Sequence, residues 1–100
     1  MEHAFREALQ SGKCVVTSEI GPPKGTNIEP MLHHIDLLKD RIDGMNVTDN
    51  QGASLHLSSM AASKMILDHG IEPIFQQTCR DRNRLALQSD LLAAWALGLE

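Results

Sequence analysis

The chain has 100 residues, enough for one small domain. Its 9 Lys and Arg against 13 Asp and Glu give a net charge of −4 with the signs interspersed, which offers no basic footprint for nucleic acid. No apolar run approaches the roughly 20 residues of a membrane span, and the amino end lacks the apolar core of a signal peptide, so neither a membrane nor an export route is expected.

Glu2 to Gln10 has the spacing of a short amphipathic helix, with Ala4, Phe5, Ala8 and Leu9 on one side. Ser11–Gly12 ends it. A first strand is predicted from about Cys14 to Ile20, where Val15, Val16, Thr17 and Ile20 are β-branched and no breaker intervenes. Gly21–Pro22–Pro23–Lys24–Gly25 cannot continue that strand, because two prolines remove two backbone donors. Glu19 therefore sits where a buried strand gives way to a constrained loop. In α/β proteins ligands bind there, outside the carboxyl ends of the strands.

Thr26 and Glu29 have the spacing of a capping box. The helix they would open carries Met31, Leu32, Ile35, Leu38 and Ile42 at helical intervals, with Pro30 in its first turn. Asp43–Gly44 breaks the chain. Met45 to Thr48 is a second strand, followed by the polar run Asp49–Asn50–Gln51–Gly52. Ser54 is expected to cap a second main helix with Leu57, Met60, Ala61 and Ile66 or Leu67 inward, and Gly70 to end it. Ile71 to Thr78 is a third strand, and Arg84 to Leu99 a further helix with Leu87, Leu91, Leu92 and Trp95 on its apolar side.

A helix followed by three βα units implies parallel strands joined by right-handed crossovers. The expected fold class is α/β: the first three strands of a (β/α)8 TIM-type barrel, in a single partial domain over residues 1–100. A whole barrel takes about 250 residues. A small independent α/β sandwich is the alternative. The third strand would present an edge open to pairing with another chain.

Cys14 and Cys79 are too few for a disulfide framework, which fits a reducing, cytoplasmic setting. Neither has a CxxC partner, and the five histidines (His3, His33, His34, His56, His69) form no ligand pattern with carboxylates or cysteines. No metal site is predicted. Arg80, Arg82 and Arg84 suggest an anion site at a helix start, but their spacing scatters them around any helix, and a solvated or salt-bridged loop accounts for them as well.

Four stretches carry a resemblance: Ser18–Glu19–Ile20–Gly21–Pro22–Pro23–Lys24–Gly25, Asn46–Val47–Thr48–Asp49–Asn50, Gly70–Ile71–Glu72–Pro73–Ile74, and Thr78–Cys79–Arg80–Asp81–Arg82–Asn83–Arg84 running on through Ala86–Leu87–Gln88–Ser89–Asp90–Leu91–Leu92. From Val15 onward the chain resembles the amino-terminal part of the methylenetetrahydrofolate reductase family. The resemblance implies a flavoprotein barrel of one-carbon metabolism and methionine biosynthesis. Its members pass hydride from NAD(P)H to FAD, and then to 5,10-methylenetetrahydrofolate as the folate substrate.

It also implies that Glu19 is the general acid that protonates the folate and helps open its five-membered ring. An apolar setting beside prolines and a flavin is the kind that keeps a carboxylic acid protonated. The residues themselves leave open that Glu19 only caps nearby backbone donors. Pro22, Pro23 and Lys24 would shape the nicotinamide and folate side, although a lone lysine is usually just solvated. Thr48, Asp49, Gln51 and Gln76 match positions that contact FAD or nicotinamide in relatives. Asp49 and Gln51 equally fit a polar loop that satisfies its own turn. Gln76 stands where some relatives carry histidine, so it keeps a donor and an acceptor but gives no positive charge. The sequence runs out at Gly98–Leu99–Glu100, ahead of the family's fourth strand and its Gly-Asp motif. An amino-terminal fragment, inactive alone and either oligomeric or joined to the rest of a barrel, is the expectation. A truncated, non-catalytic assembly module is the alternative.

Overall fold

The computed structural model describes residues 4–99. Three strands form one parallel sheet in the order β1 (Thr17–Ile20), β2 (Gly44–Val47), β3 (Pro73–Phe75). Helix α1 (Ala4–Gln10) precedes the sheet, α2 (Glu29–Leu38) and α3 (Ser59–Asp68) make the two crossovers, and α4 (Arg84–Ala96) follows β3. This is the predicted α/β arrangement. Glu2 and His3, the start of the first predicted helix, lie outside the described residues.

Register sorts the side chains between two faces. Glu19 pairs with Asn46, Asn46 with Ile74, and Ile20 with Val47. Since side chains alternate along a strand, Ile20, Met45 and Val47 share one face while Glu19, Asn46 and Ile74 share the other. The first face is covered. Met45, Val47, Ile35, Ala62 and Ile66 have no exposed surface and pack with Ile20, Met31 and Ile71 beneath α2 and α3. On the second face α1 closes the amino end of the strands. Phe5 lies against Gly44, where an added Cβ would come 3.0 Å from its ring and 3.3 Å from Ile74. The Phe5 backbone N–H donates to the Glu72 carboxylate and holds α1 there.

Several boundaries depart from expectation. The Thr26–Glu29 capping box does not form: Ile28 is the N-cap without a side-chain bond, and Asn27 Oδ1 accepts from the Glu29 N–H at 3.3 Å. Capping by Thr26 would have put Pro30 at the fourth helical position, where its ring meets the preceding turn. Starting later leaves Pro30 among the first helical residues, where proline is favoured. Ile42 falls beyond the end of α2.

Ser58, not Ser54, caps α3, its hydroxyl accepting from the Met60 N–H at 3.2 Å. Residues 50–57 are instead knitted into a loop. The Asn50 side chain accepts from the His56 N–H at 2.8 Å, and the Pro23 carbonyl accepts from the Leu57 N–H at 2.7 Å. The inward face of α3 is therefore Ser59, Ala62, Ser63 and Ile66, not Leu57, Met60 and Ala61. Its small residues let the helix sit close to the sheet, and Ser59 Oγ donates to the Gln76 carbonyl at 2.8 Å.

Strands β1 and β3 are shorter than predicted, and β1 is not a fully buried strand. Its Thr17 and Glu19 are exposed, because β1 is an edge with one face uncovered. On α4 only Ala94 is buried. Leu91, Leu92 and Trp95, expected inward, are 58, 72 and 77% exposed. The strand they flank, β3, is the other edge of the sheet, so no neighbouring strand among the described residues lies beneath them.

Candidate functional site

At the carboxyl ends of the three strands the chain turns into three loops, and between them lies a cleft of about 330 Å³. Its lining includes all five residues singled out from sequence: Glu19 from β1, Thr48, Asp49 and Gln51 from the segment after β2, and Gln76 after β3. Thr78 and Arg80 complete the wall on the β3 side.

The five do not have equal freedom. Glu19 is exposed on the open face and takes part in none of the ion pairs among the described residues. Thr48 is buried, and its N–H donates to the Ile20 carbonyl at 3.2 Å, extending the β1–β2 ladder one step past the strand. Gln51 lies exposed in a single 3₁₀ turn, Gln51–Ala53. Left-handed backbone at Asn50 (φ 45°) and Gly52 (φ 69°) forces that turn tight. Gln76 stands on the open face, its amide a long 3.5 Å from Asn46 Oδ1. The next residue, Gln77, donates to the Leu87 carbonyl on α4 at 3.1 Å.

Asp49 is the most constrained. Its side chain has no exposed surface. Oδ2 accepts from the Thr78 N–H at 2.8 Å and the Thr78 hydroxyl at 3.1 Å, and both carboxylate oxygens meet the Arg82 guanidinium. Burial pushes the Asp49 carboxyl up, but the Arg82 guanidinium and the two Thr78 donors outweigh it and hold the group below the usual carboxylate range. Arg82 also donates to the Thr78 carbonyl at 2.7 Å and to Asp90 on α4 at 3.1 Å. One arginine thus ties the end of β2, the loop after β3 and α4 together. The Asp49 carboxylate belongs to this clasp, so its face of the cleft is available to a ligand through backbone groups only.

Pro22, Pro23 and Lys24 do not line this cleft; Pro22 is buried, and the Pro-Pro loop bonds to Leu57 instead. Sequence reasoning passed over Asn46 and Thr78 as site residues. Asn46 had a signal, being the one polar side chain within the Gly44–Val47 strand. Among the described residues no cluster of three His, Cys, Asp or Glu is placed to hold a metal, and Cys14 and Cys79 are both free and exposed.

A model of the methylenetetrahydrofolate reductase family matches residues 4–100. The chain belongs to the methylenetetrahydrofolate reductase family. The match takes in α1, ahead of the Val15 position where the motif resemblance begins. No curated protein and no solved structure matches the chain. As a methylenetetrahydrofolate reductase family member it is, by family, an oxidoreductase of folate metabolism with a TIM-type barrel architecture, and the parallel β1-β2-β3 order is that of consecutive barrel strands.

Proposed function

We propose that this cleft is one wall of a flavin-dependent site that reduces 5,10-methylenetetrahydrofolate to 5-methyltetrahydrofolate with NAD(P)H as reductant. The observation that carries the reading is the convergence of Glu19, which has no ion-pair partner among the described residues, with Thr48, Gln51 and Gln76 at the carboxyl ends of three parallel strands. The donor set fits FAD: hydroxyl, amide and turn backbone groups suit the imide edge of an isoalloxazine ring. Bound FAD would supply the hydride relay. Glu19 would deliver a proton to a ring nitrogen of the folate, and Thr48 and Gln76 would orient the ligands beside it. Free, exposed cysteines agree with a reducing, cytoplasmic setting.

The decisive experiment is an absorbance spectrum of the purified chain after addition of FAD and desalting, followed by a reductase assay of wild type and Glu19→Gln wherever flavin is retained. Retained flavin with activity lost by roughly a hundredfold or more in Glu19→Gln is expected of an acid role. Retained flavin with full activity in the variant would sink that role. A folded chain that keeps no flavin would mean that the described wall alone does not hold it.

One observation favours a second reading, an assembly module. Among the described residues strand β3 is an edge with no further strand beside it, and Leu92 and Trp95 stand exposed on the helix that follows it. Sedimentation velocity distinguishes the two: a reversible oligomer that forms without flavin and dissociates in Trp95→Ser supports pairing through this edge, whereas a monomer at all concentrations rejects it.

A further inference from the structure

The structure sorts the three arginines of Thr78–Cys79–Arg80–Asp81–Arg82–Asn83–Arg84 into different positions. Arg82 is spent on Asp49, Asp90 and the Thr78 carbonyl. Arg84 is exposed at the first position of α4 and does not line the cleft. Among the described residues Arg80 is the only cationic side chain in the lining. It is held from behind, with Nη2 donating to the Asn50 carbonyl at 3.0 Å and Nε to Asp81 at 3.0 Å. A guanidinium has five N–H donors in a fixed fork, so most of its fork has no partner among the described residues.

We infer that Arg80 is the anion-recognition residue of this cleft and takes a phosphate or carboxylate group of the ligand that binds there. The inference rests on reading the cleft as a ligand site and adds to that reading the charge class of one end of the ligand. No second cation among the described residues lines the cleft to compete for the anion, and Asp49, a buried carboxylate of the lining, is already neutralised by Arg82. Glu19 opposes binding from the β1 side of the cleft, and Asp81 opposes it at Arg80 itself. Asp81 is an exposed neighbour whose pairing with Arg80 is weak and yields to a better acceptor. The tie to Asn50 presets the guanidinium, so little side-chain freedom is lost when an anion arrives.

The test is an amide-shift NMR titration of the full chain with inorganic pyrophosphate and, separately, with glutarate; the stronger of the two identifies the anion as phosphate or carboxylate. Shifts at Asn50, Gln51, Gly52 and Arg80 are expected. Arg80→Gln should weaken binding by roughly tenfold or more, the loss expected for a charge-assisted contact. Arg80→Lys should recover part of it, Asp81→Asn should tighten it, and Arg84→Gln should leave it unchanged. Thermal unfolding of each variant checks that the fold persists. Absence of binding by wild type to both anions, shifts centred elsewhere, or binding unaltered in folded Arg80→Gln would overturn the assignment. Riboflavin, which has no phosphate, is titrated in parallel. If it binds while the anions do not, Arg80 is wrongly assigned and the flavin reading stands. If the anions bind at Arg80 while riboflavin does not, Arg80 keeps its role and the described wall alone does not hold the flavin ring.

Discussion

Two carboxylates leave the sheet at neighbouring strand ends and meet opposite fates. Asp49 follows β2 and is wholly enclosed, with both oxygens bonded; Glu19 closes β1 on the open face, exposed at the edge of a cleft. Their positions in the chain are alike, each at or just after a strand's last residues and just before a polar or proline-bearing loop. The difference comes from what the next strand brings. Beyond β3 the chain delivers Thr78 and Arg82 to Asp49, whereas nothing among the described residues is delivered to Glu19. A structural carboxylate and a chemical one are thus distinguished by their partners, and each can be tested by removing or adding such partners.

The largest effect is expected from Arg82→Ala. It leaves the Asp49 charge buried and opposed only by the Thr78 donors. Breaking a buried pair from one side costs on the order of 3–5 kcal/mol, and the partial exposure of Arg82 argues for the low end, about 3. Urea unfolding should show the loss as a lower midpoint at unchanged slope. Asp49→Asn should cost less, about 2 kcal/mol, because the amide oxygen still accepts from Thr78 and Arg82 keeps Asp90. If Asp49→Asn proved neutral, the clasp would not be what holds the loop after β3.

A pH series sharpens the same contrast. The folded Asp49 carboxyl lies below its ordinary range, so the clasp is at full strength above that range and fades as pH falls through the lowered folded value. Stability should therefore drop on the acid side, and the drop should flatten in Asp49→Asn. Asp43 also lies low, held by Lys13 and by the Val16 N–H, but it sits at the surface where water screens the pair. Asp43→Asn should change the acid limb far less than Asp49→Asn. Equal flattening by both variants would show that surface pairing, not the clasp, governs the limb.

How much of this was legible beforehand follows from the range of each interaction. The order of elements and the parallel topology were readable because strand and helix periods are local, and Gly12, Gly44 and Gly70 punctuate them. Glu19 stood out by its place at a strand end, whereas Thr48, Asp49, Gln51 and Gln76 were marked by the family resemblance; that all five line one cleft follows from parallel strands bringing their carboxyl ends together. Of the adjacent Gln76 and Gln77, two-residue alternation accounts for one at the cleft and the other turned to α4. The Asp49 clasp was not readable, since its partners lie 29 and 33 residues away and nothing local marks Arg82 apart from Arg80 and Arg84. The cap at Ser58 was hidden for the same reason: Ser54 suits a cap equally well, and only the bonds of residues 50–57 to the Asn50 side chain and Pro23 exclude it. The exposure of Trp95 depends on β3 being an edge, which helical periodicity cannot report.

The smallest effect, and the one that completes the contrast, is expected from Glu19→Gln. Removing this charge breaks no ion pair among the described residues and opens no cavity, so stability should move by less than about 0.5 kcal/mol. Set against Arg82→Ala in the same urea experiment, the two strand ends should differ by several-fold in their effect on the midpoint. A loss of 1 kcal/mol or more in Glu19→Gln would mean that the carboxylate caps backbone donors, the structural alternative that its sequence position left open. A neutral substitution removes that alternative, and any loss of reduction in an active assembly then belongs to the chemistry of Glu19 and not to the fold that carries it.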